Sequence, residues 1–334
     1  MQIRRVELAD DIMRAGQLAA ALEASGWPKP GNVHRRADFP ETRFEHFIAA
    51  SISLGPSLKD GALRGAAVEA GEIDATEAGV GRLVKRAVLD MNSWQKGGNT
   101  HLGTILLFAP MSVAGGMTLM HGKKFDLQYF RQGFRKLMES TTPQDATEVY
   151  EAIAAARPRG LGSVESADAP DLASGKEIGE IVTRGLTLYD VMKTSSRWDT
   201  IASELVDSLK ITLNVGYPAL CEVYFETHDV NIATVHTYLR LLSQFPDTFV
   251  ARNVGLKHTT VISRAVEIGM DKAREISLRA AQILQMGGLA TARGRKNLAR
   301  FDNDLRKNKQ LRPGTTADLT AASLMVTLMC GLRF

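Results

Sequence analysis

The first segment that could do chemistry is Lys29-Pro30-Gly31-Asn32-Val33-His34, which follows a predicted helix. Prolines on both sides of Lys29 restrict the backbone, and Gly31 lets the main chain approach a ligand closely. A rigid loop that carries a cation, the Asn32 amide and the His34 imidazole could present hydrogen-bond donors to a phosphate group. The same residues are also typical of a simple helix stop with an exposed lysine.

A glycine-rich turn, residues 97–103, leads directly into an apolar helix. Amides at a helix N-terminus suit an anionic group, because the helix dipole adds partial positive charge there. The candidate binding groups are Asn99, Thr100, His101 and Gly103. The alternative is an ordinary loop in which Asn99 or Thr100 caps the helix and His101 is structural.

Two more segments interrupt or start helices. Asn214-Val215-Gly216-Tyr217-Pro218 predicts a break within a helix, either a kink for packing, which we favour, or an opening for a ligand. Asp247-Thr248 begins a short segment that ends at Arg252. This is an N-cap pattern, and Asp247 is also a candidate cation ligand.

The segment Leu311–Asp318 combines a second Pro-Gly loop, at Gly314, with the hydroxyl of Thr315 and a carboxylate inside an apolar helix. A carboxylate in that position is costly unless it is paired, bound to metal or facing a cavity. Asp318 is therefore the residue with the clearest functional signature.

The carboxylates near these segments are sparse and lie among Gly, Asn and Lys, which suggests magnesium and polyphosphate chemistry. They are Glu23, Asp38, Glu41, Asp247 and Asp318. Seven scattered histidines and two distant cysteines show no zinc-ligand spacing. The chain also lacks GxxxxGK[ST], GxGxxG and GxSxG, so the common kinase, dehydrogenase and hydrolase interpretations fail.

The elements that must position these residues are helices, because apolar residues recur mostly at three- and four-residue spacing. The sequence therefore predicts an all-α bundle of about a dozen helices around a buried polar pocket. The predicted helices are Leu8–Ala24, Thr42–Leu54, Lys59–Ala70, Glu77–Asn92, His101–Thr118, Leu127–Ser140, Gln144–Ala155, Thr187–Leu209, Ile211–Thr227, Asn231–Phe245, Thr259–Ile268, Asp271–Gln285, Ala292–Asn308 and Thr315–Cys330. Residues 157–176 are rich in Pro, Gly, Ser and Asp and predict a surface loop or a linker. We favour the loop, with residues 1–334 forming one domain.

Composition narrows the functional classes. A net charge of +4 fits an anionic small molecule, whereas 6% aromatic residues without a stacking pattern give no support for nucleic-acid binding. Two cysteines and no signal peptide favour a cytoplasmic protein. The apolar stretches 101–120 and 315–332 contain Pro110 and Asp318 respectively, so we expect core helices and no membrane span.

Taken in order, these segments resemble the triphosphoribosyl-dephospho-CoA synthase family, whose members make the precursor of the prosthetic group of citrate lyase and malonate decarboxylase. The resemblance runs from about Leu18 to Leu324. Its anchors are Leu22-Glu23 with Pro28-Lys29-Pro30-Gly31, Asn99-Thr100-His101 with Gly103, Gly216-Tyr217-Pro218, Asp247-Thr248, and Pro313-Gly314 with Ala317-Asp318-Leu319. Each anchor is weak alone, but five in register are specific.

The resemblance implies an all-helical transferase in which a hydroxyl of dephospho-CoA displaces adenine from the ATP ribose. Mg²⁺ and Lys29 would then hold the triphosphate. Asp247 and Asp318 would be a magnesium ligand or a general base in an unassigned order, and Glu41 is the third candidate catalytic acid. The candidate phosphate or nucleotide ligands are Lys29, Gly31, Asn32, His34, Asn99, Thr100, His101, Gly103, Arg252, Gly314 and Thr315.

The chain departs from the family pattern at Phe39, Leu102, Phe249 and Arg312, which suggests a changed substrate. These departures resemble an archaeal and methylotroph branch, so the first alternative is an enzyme of one-carbon carrier biosynthesis (methanopterin or methanofuran type). The second alternative is a non-catalytic helical binding protein, which predicts that the five polar segments lie apart and exposed. The expected small-molecule partners are ATP and either dephospho-CoA or a related nucleotide-type compound. The chain could also form a homodimer.

Overall fold

The computed structural model describes residues 2–122, 124–157, 162–163, 170 and 177–334. Within these ranges the chain is all α-helical, which confirms the predicted fold class. The α-helices, numbered α1 to α16 in chain order, are Gln2–Ser25, Phe44–Ser53, Gly55–Glu69, Val80–Trp94, Leu102–His121, Leu127–Glu139, Pro143–Ala156, Glu177–Arg184, Leu188–Ser195, Thr200–Val206, Tyr217–Thr227, Val230–Gln244, Thr248–Gly255, Ile262–Gln285, Ala292–Arg306 and Gly314–Met329. A 3₁₀ turn (Ala75–Glu77) and a π-helical turn (Thr212–Gly216) complete the order.

Several helix boundaries differ from the predicted ones for identifiable reasons. The predicted helix Thr187–Leu209 is divided into α9 and α10, because Asp199 caps a new helix through the amides of Ile201 and Ala202. The predicted break after Ile268 is absent, and α14 runs continuously through it. Helix α8 was not predicted. The N-cap pattern at Asp247 correctly marked the start of α13, although no helix was assigned there. Most of residues 157–176 lies outside the described residues.

Helix α5 forms the centre of the larger core. It is long and apolar enough to cross a membrane, but 83% of its most apolar window is buried inside the protein, as expected of a core helix. Close packing against α3 depends on glycine, since a Cβ on Gly65 would lie 1.9 Å from the carbonyl oxygen of Val113. This tight helix pair fixes the position of the turn that precedes α5.

The Asn214–Pro218 segment serves packing. Its π-helical turn is capped by the buried carboxylate of Glu204, which accepts hydrogen bonds from the amides of Ile211 (2.6 Å) and Thr212 (2.8 Å). A Cβ on Gly216 would lie 1.9 Å from Ser323 Oγ on α16, so this turn packs directly against that helix. The segment does not line the cavity described below.

Candidate active site

A cavity of about 660 Å³ lies where several helices begin. First-turn residues of α5, α13 and α16 line it, so the positive ends of three helix dipoles meet at its wall. Its polar and charged lining residues are Glu23, Asn32, Thr42, Asn99, Thr100, His101, Thr104, Arg157, Ser195, Asp199, Arg252, Asn253, Lys257, Lys309, Gln310, Arg312, Thr315 and Asp318. Residues from four of the five predicted segments therefore meet at one cavity.

Asp318 lies on the cavity wall in the second turn of α16. Thr104 Oγ1 donates a hydrogen bond of 2.6 Å to its Oδ1. Burial raises the pKa of Asp318 to about 8, and the negative charges of Glu23 and Asp247 act in the same direction. Gly103 makes this contact possible, because a Cβ at that position would lie 2.0 Å from Asp318 Oδ2. The result is a carboxyl group that is mostly protonated at neutral pH.

Lys29 lies beneath the cavity wall and does not line it. Its side chain is only 2% exposed, and its ammonium group contacts both the Glu23 carboxylate and, at 2.7 Å, the Glu23 carbonyl oxygen. Burial lowers the pKa of Lys29 and raises that of Glu23, against the attraction between the two groups. The predicted exposed cation is thus a buried ion pair in which only Glu23 lines the cavity.

The rest of the loop 29–34 is held in place by polar contacts with Asp302 on α15. The Asp302 carboxylate accepts a hydrogen bond of 2.9 Å from the Gly31 amide and contacts His34 Nε2 at 2.9 Å. His34 and Gly31 are therefore engaged within the protein and do not line the cavity. Asn32 does line it, and its Nδ2 donates to Tyr238 Oη (3.0 Å) and to the carbonyl oxygen of Pro313 (2.8 Å).

The glycine-rich turn contributes three polar side chains to the cavity. Asn99 Oδ1 accepts a hydrogen bond from the Leu102 amide (3.0 Å) and so caps α5. Thr100 Oγ1 is buried and has no hydrogen-bond partner in the described part of the chain. His101 Nε2 lies 3.1 Å from Ser51 Oγ, and burial lowers the pKa of His101 to about 4. The imidazole is therefore neutral at physiological pH.

Three of the five predicted carboxylates, Asp38, Glu41 and Asp247, do not line the cavity. Asp247 is buried; its Oδ1 accepts from the Val250 amide (2.9 Å), and its Oδ2 accepts from the amide and the hydroxyl of Thr316 (both 2.8 Å). It joins the start of α13 to the start of α16. Glu41 lies at the surface and pairs with Lys309. Asp247 is thus engaged within the protein, whereas Glu41 is connected to the cavity only through Lys309 and Arg312 of its wall.

Cationic side chains around the cavity were the least predictable part of the site. Besides the predicted Arg252, the wall contains Arg157, Lys257, Lys309 and Arg312. Three carboxylates line the cavity; Glu23 is paired with Lys29, and Asp199 lies 3.9 Å from Arg252. Cations thus outnumber carboxylates on this wall, which favours an anionic ligand.

One part of the wall is apolar and comes from helices that carry no polar motif. Residues of α7, α9 and α10 provide it: Tyr150, Ile153, Val191, Met192, Ile201 and Ala202, with Trp198 in the turn between α9 and α10. Sequence patterns mark such residues only as core. Their role in a cavity depends on contacts between distant helices.

Comparison with known proteins agrees with this architecture. The sequence profile of the family described as ATP:dephospho-CoA triphosphoribosyl transferase matches residues 9–333. A crystal structure from Archaeoglobus fulgidus, assigned as a triphosphoribosyl-dephospho-CoA synthase, superposes with a TM-score of 0.60 at 26% sequence identity and covers 87% of this chain and 100% of its own. No curated protein sequence matches significantly. The chain belongs to the ATP:dephospho-CoA triphosphoribosyl transferase family.

Proposed function

We infer that this protein transfers the triphosphoribosyl group of ATP to a hydroxyl of dephospho-CoA and releases adenine. The C1′–N9 bond of ATP breaks and its electron pair leaves with adenine. A bond forms between C1′ and the acceptor oxygen, and the proton of the acceptor hydroxyl is transferred, directly or through the enzyme and water, to the departing base. The inference rests on family membership together with the cavity described above.

The single observation that best supports this reaction is the position of Asp318. It is a half-buried carboxyl group in a cavity whose wall also carries cations and the first turns of three helices. Glycosyl transfer passes through a cation-like ribose, so a carboxylate near C1′ stabilises the transition state or accepts the proton of the attacking hydroxyl. We assign Asp318 the role of general base.

The phosphate contacts would come from the cavity wall and not from Lys29. The triphosphate carries several negative charges, and Arg252, Lys257, Lys309 and Arg312 all line the cavity. The predicted Lys29 clamp would require breaking a buried ion pair with Glu23, which is costly. Lys29 then acts indirectly, by holding Glu23 and the first loop in place.

Magnesium is part of the proposal. Nucleotide enzymes hold Mg²⁺ mainly through substrate phosphates and a few protein oxygens. Thr100 Oγ1, which is buried without a partner in the described residues, and Asn32, whose Nδ2 is already engaged, offer such oxygens. Asp247 fits less well, because both of its oxygens accept hydrogen bonds within the protein. The bound ion would neutralise charge on the triphosphate.

The non-catalytic alternative is disfavoured by the same geometry. A scaffold that merely retained the fold would leave the polar segments apart, whereas four of the five contribute residues to one cavity. The four exceptions in the family pattern, at Phe39, Leu102, Phe249 and Arg312, also lie on its wall. A changed substrate, which these departures suggest, would therefore be accommodated in this cavity.

Chromatography of free adenine tests the proposal. Purified protein with ATP, Mg²⁺ and dephospho-CoA should release adenine, and removal of Mg²⁺ with a chelator should stop the release. Asp318→Asn should reduce kcat at least 100-fold at unchanged helicity, in line with loss of a general base (about 10²–10⁴-fold). The wild-type rate should rise with pH through the titration of Asp318.

Two results would contradict the proposed reaction or the role of Asp318 in it. A rate that falls with rising pH and depends on Asp318 would make that residue an acid and not the base. Absence of adenine from the wild-type reaction, combined with tight binding of another phosphorylated metabolite, would favour the one-carbon alternative.

A further inference from the structure

Two arginines on the cavity wall are each stacked on a phenylalanine. The Arg312 guanidinium carbon lies 3.3 Å from the centroid of the Phe39 ring, and that of Arg252 lies 5.1 Å from the centroid of Phe249. The planar set of N–H donors on a guanidinium matches a phosphate group, and a ring in contact with the guanidinium helps to hold its orientation. All four residues line the cavity.

The Arg312 pair belongs to the polar side of the cavity. Phe39 is 5% exposed, and its backbone exchanges two hydrogen bonds of 3.1 Å with that of Thr42. The Thr42 hydroxyl then donates to the carbonyl oxygen of Gly97 (2.9 Å), so the ring is fastened to the glycine-rich turn before α5. Backbone amides and the positive end of a helix dipole are nearby, as a polyphosphate requires.

The Arg252 pair belongs to the apolar side. Arg252 lies 3.9 Å from Asp199 Oδ2, at the start of α10. The neighbours of Asp199 in the chain, Trp198 and Ile201, form part of the apolar wall. The Nε atom of Arg252 is buried and makes no hydrogen bond within the described ranges, which leaves a donor for a ligand. A phosphate attached to a long uncharged organic arm fits this side.

We propose that the two stacked arginines bind the phosphates of different substrates, Arg312 those of ATP and Arg252 those of the acceptor. The assignment rests on the proposed transfer between two phosphorylated substrates. Asp318 lines the same cavity, and the proposal requires the donor ribose and the acceptor hydroxyl to meet at this carboxyl group. The Phe39 and Phe249 rings are specificity-determining residues, because each holds its arginine in the binding plane.

Calorimetric titration of each substrate alone tests this assignment without turnover. Arg312→Gln should weaken ATP binding about tenfold or more, as expected for a lost charged hydrogen bond, and should change dephospho-CoA binding less than about twofold. Arg252→Gln should show the opposite pattern. Phe39→Leu and Phe249→Leu should each reproduce the pattern of the corresponding arginine variant with a smaller effect.

Arg279→Gln is the matched control. This arginine is also stacked on an aromatic ring (4.7 Å from Phe301) and also pairs with a carboxylate, Asp304, but it lies outside the cavity. It should leave both affinities and the transfer rate unchanged. Circular dichroism of every variant establishes that the helices are retained.

The outcomes separate this assignment from the transfer reaction. Equal weakening of both ligands by each arginine variant, a reversed pattern, or a wild type that binds neither ligand would overturn the assignment. Adenine release with unaltered affinities in the variants would overturn it while leaving the transfer reaction intact. The expected selectivity without adenine release would overturn the reaction and retain the two binding positions.

Discussion

At the scale of single residues, the site combines a carboxyl group whose pKa lies near physiological pH, Asp318, with a buried ion pair, Glu23–Lys29. Burial raises the pKa of Asp318 to about 8, with a smaller contribution from the negative charges of Glu23 and Asp247. The Glu23–Lys29 pair is buried and contributes no net charge to the cavity. A group that ionises near physiological pH can accept a proton and lose it again at little cost, as a general base must.

Asp318 should reduce stability at high pH, because its ionised form is disfavoured in the folded protein. Its pKa is raised from 3.8 to about 8 on folding. The folded state therefore holds an extra proton between these values, and stability falls as pH rises from about 4 to 8. Asp318→Asn removes this loss. We expect thermal unfolding to show equal Tm values for wild type and variant near pH 4 and a Tm several degrees higher for the variant at pH 8.

Other titrating groups affect the wild type and Asp318→Asn alike, because the two proteins differ only in the side chain at position 318. Thr104 can donate to the Asn side-chain oxygen as it does to Asp318 Oδ1, so the local hydrogen bond can be retained. A Tm difference that does not change between pH 4 and 8 would show that Asp318 has an ordinary pKa. That result would also remove the physical basis for its role as a base near neutral pH.

At the scale of elements, helix periodicity and capping residues predicted most of the fold, whereas the orientation of loop side chains could not be predicted. The approximate positions of α1 to α7 follow from apolar spacing. The sequence could not show that the Lys29 side chain is buried. Lys29 could bind either water or the Glu23 carboxylate of the preceding helix, and the choice depends on the fold. Of the five cations on the cavity wall, only Arg252 was predicted, because a sequence does not distinguish an arginine or lysine on a cavity wall from one on the outer surface.

Missed helices have local causes. Helix α13 is only eight residues long, too short for a clear periodic pattern, and its start depends on the Asp247 cap. Helix α8 follows the glycine- and serine-rich stretch, whose composition obscured it. The pairing of Phe39 with Arg312 joins residues far apart in the chain, so only the fold brings them together.

The contact between α5 and α16 at Gly103 offers a test of how closely these elements must approach. A Cβ at position 103 would lie 2.0 Å from Asp318 Oδ2, so Gly103→Ala must displace the carboxylate. We expect kcat to fall at least tenfold with a smaller change in KM, because misplacement of a catalytic group by about 1 Å is costly. Overpacking should also lower stability by about 1–3 kcal/mol, measured by denaturant unfolding.

Gly179→Ala is the control for this prediction. Gly179 lies within α8, and no atom lies within 4 Å of a Cβ built there. Alanine should therefore leave kcat unchanged and stability unchanged or slightly higher. If Gly103→Ala retained the wild-type kcat, the close approach of Gly103 to Asp318 would have no catalytic consequence.

At the scale of the whole molecule, cationic side chains are concentrated on the wall of one cavity. The net charge of +4 is modest for 334 residues, yet five cationic side chains line one cavity. Local concentration of charge, more than net charge, attracts an anionic substrate. The first turns of α5, α13 and α16 line the same cavity and add the positive ends of their helix dipoles to this charge.

ATP should therefore stabilise the protein through its phosphates. A ligand at one hundred times its Kd adds about 2.7 kcal/mol to the free energy of unfolding, so we expect Tm to rise by several degrees. Adenosine at the same concentration should give a much smaller rise, since it lacks the groups that the cationic wall attracts. The ATP-induced shift should also shrink between 50 mM and 500 mM NaCl, because salt screens the attraction. Differential scanning fluorimetry measures all three quantities; equal shifts with adenosine and ATP, or a shift insensitive to salt, would mean that the cationic wall does not bind the triphosphate.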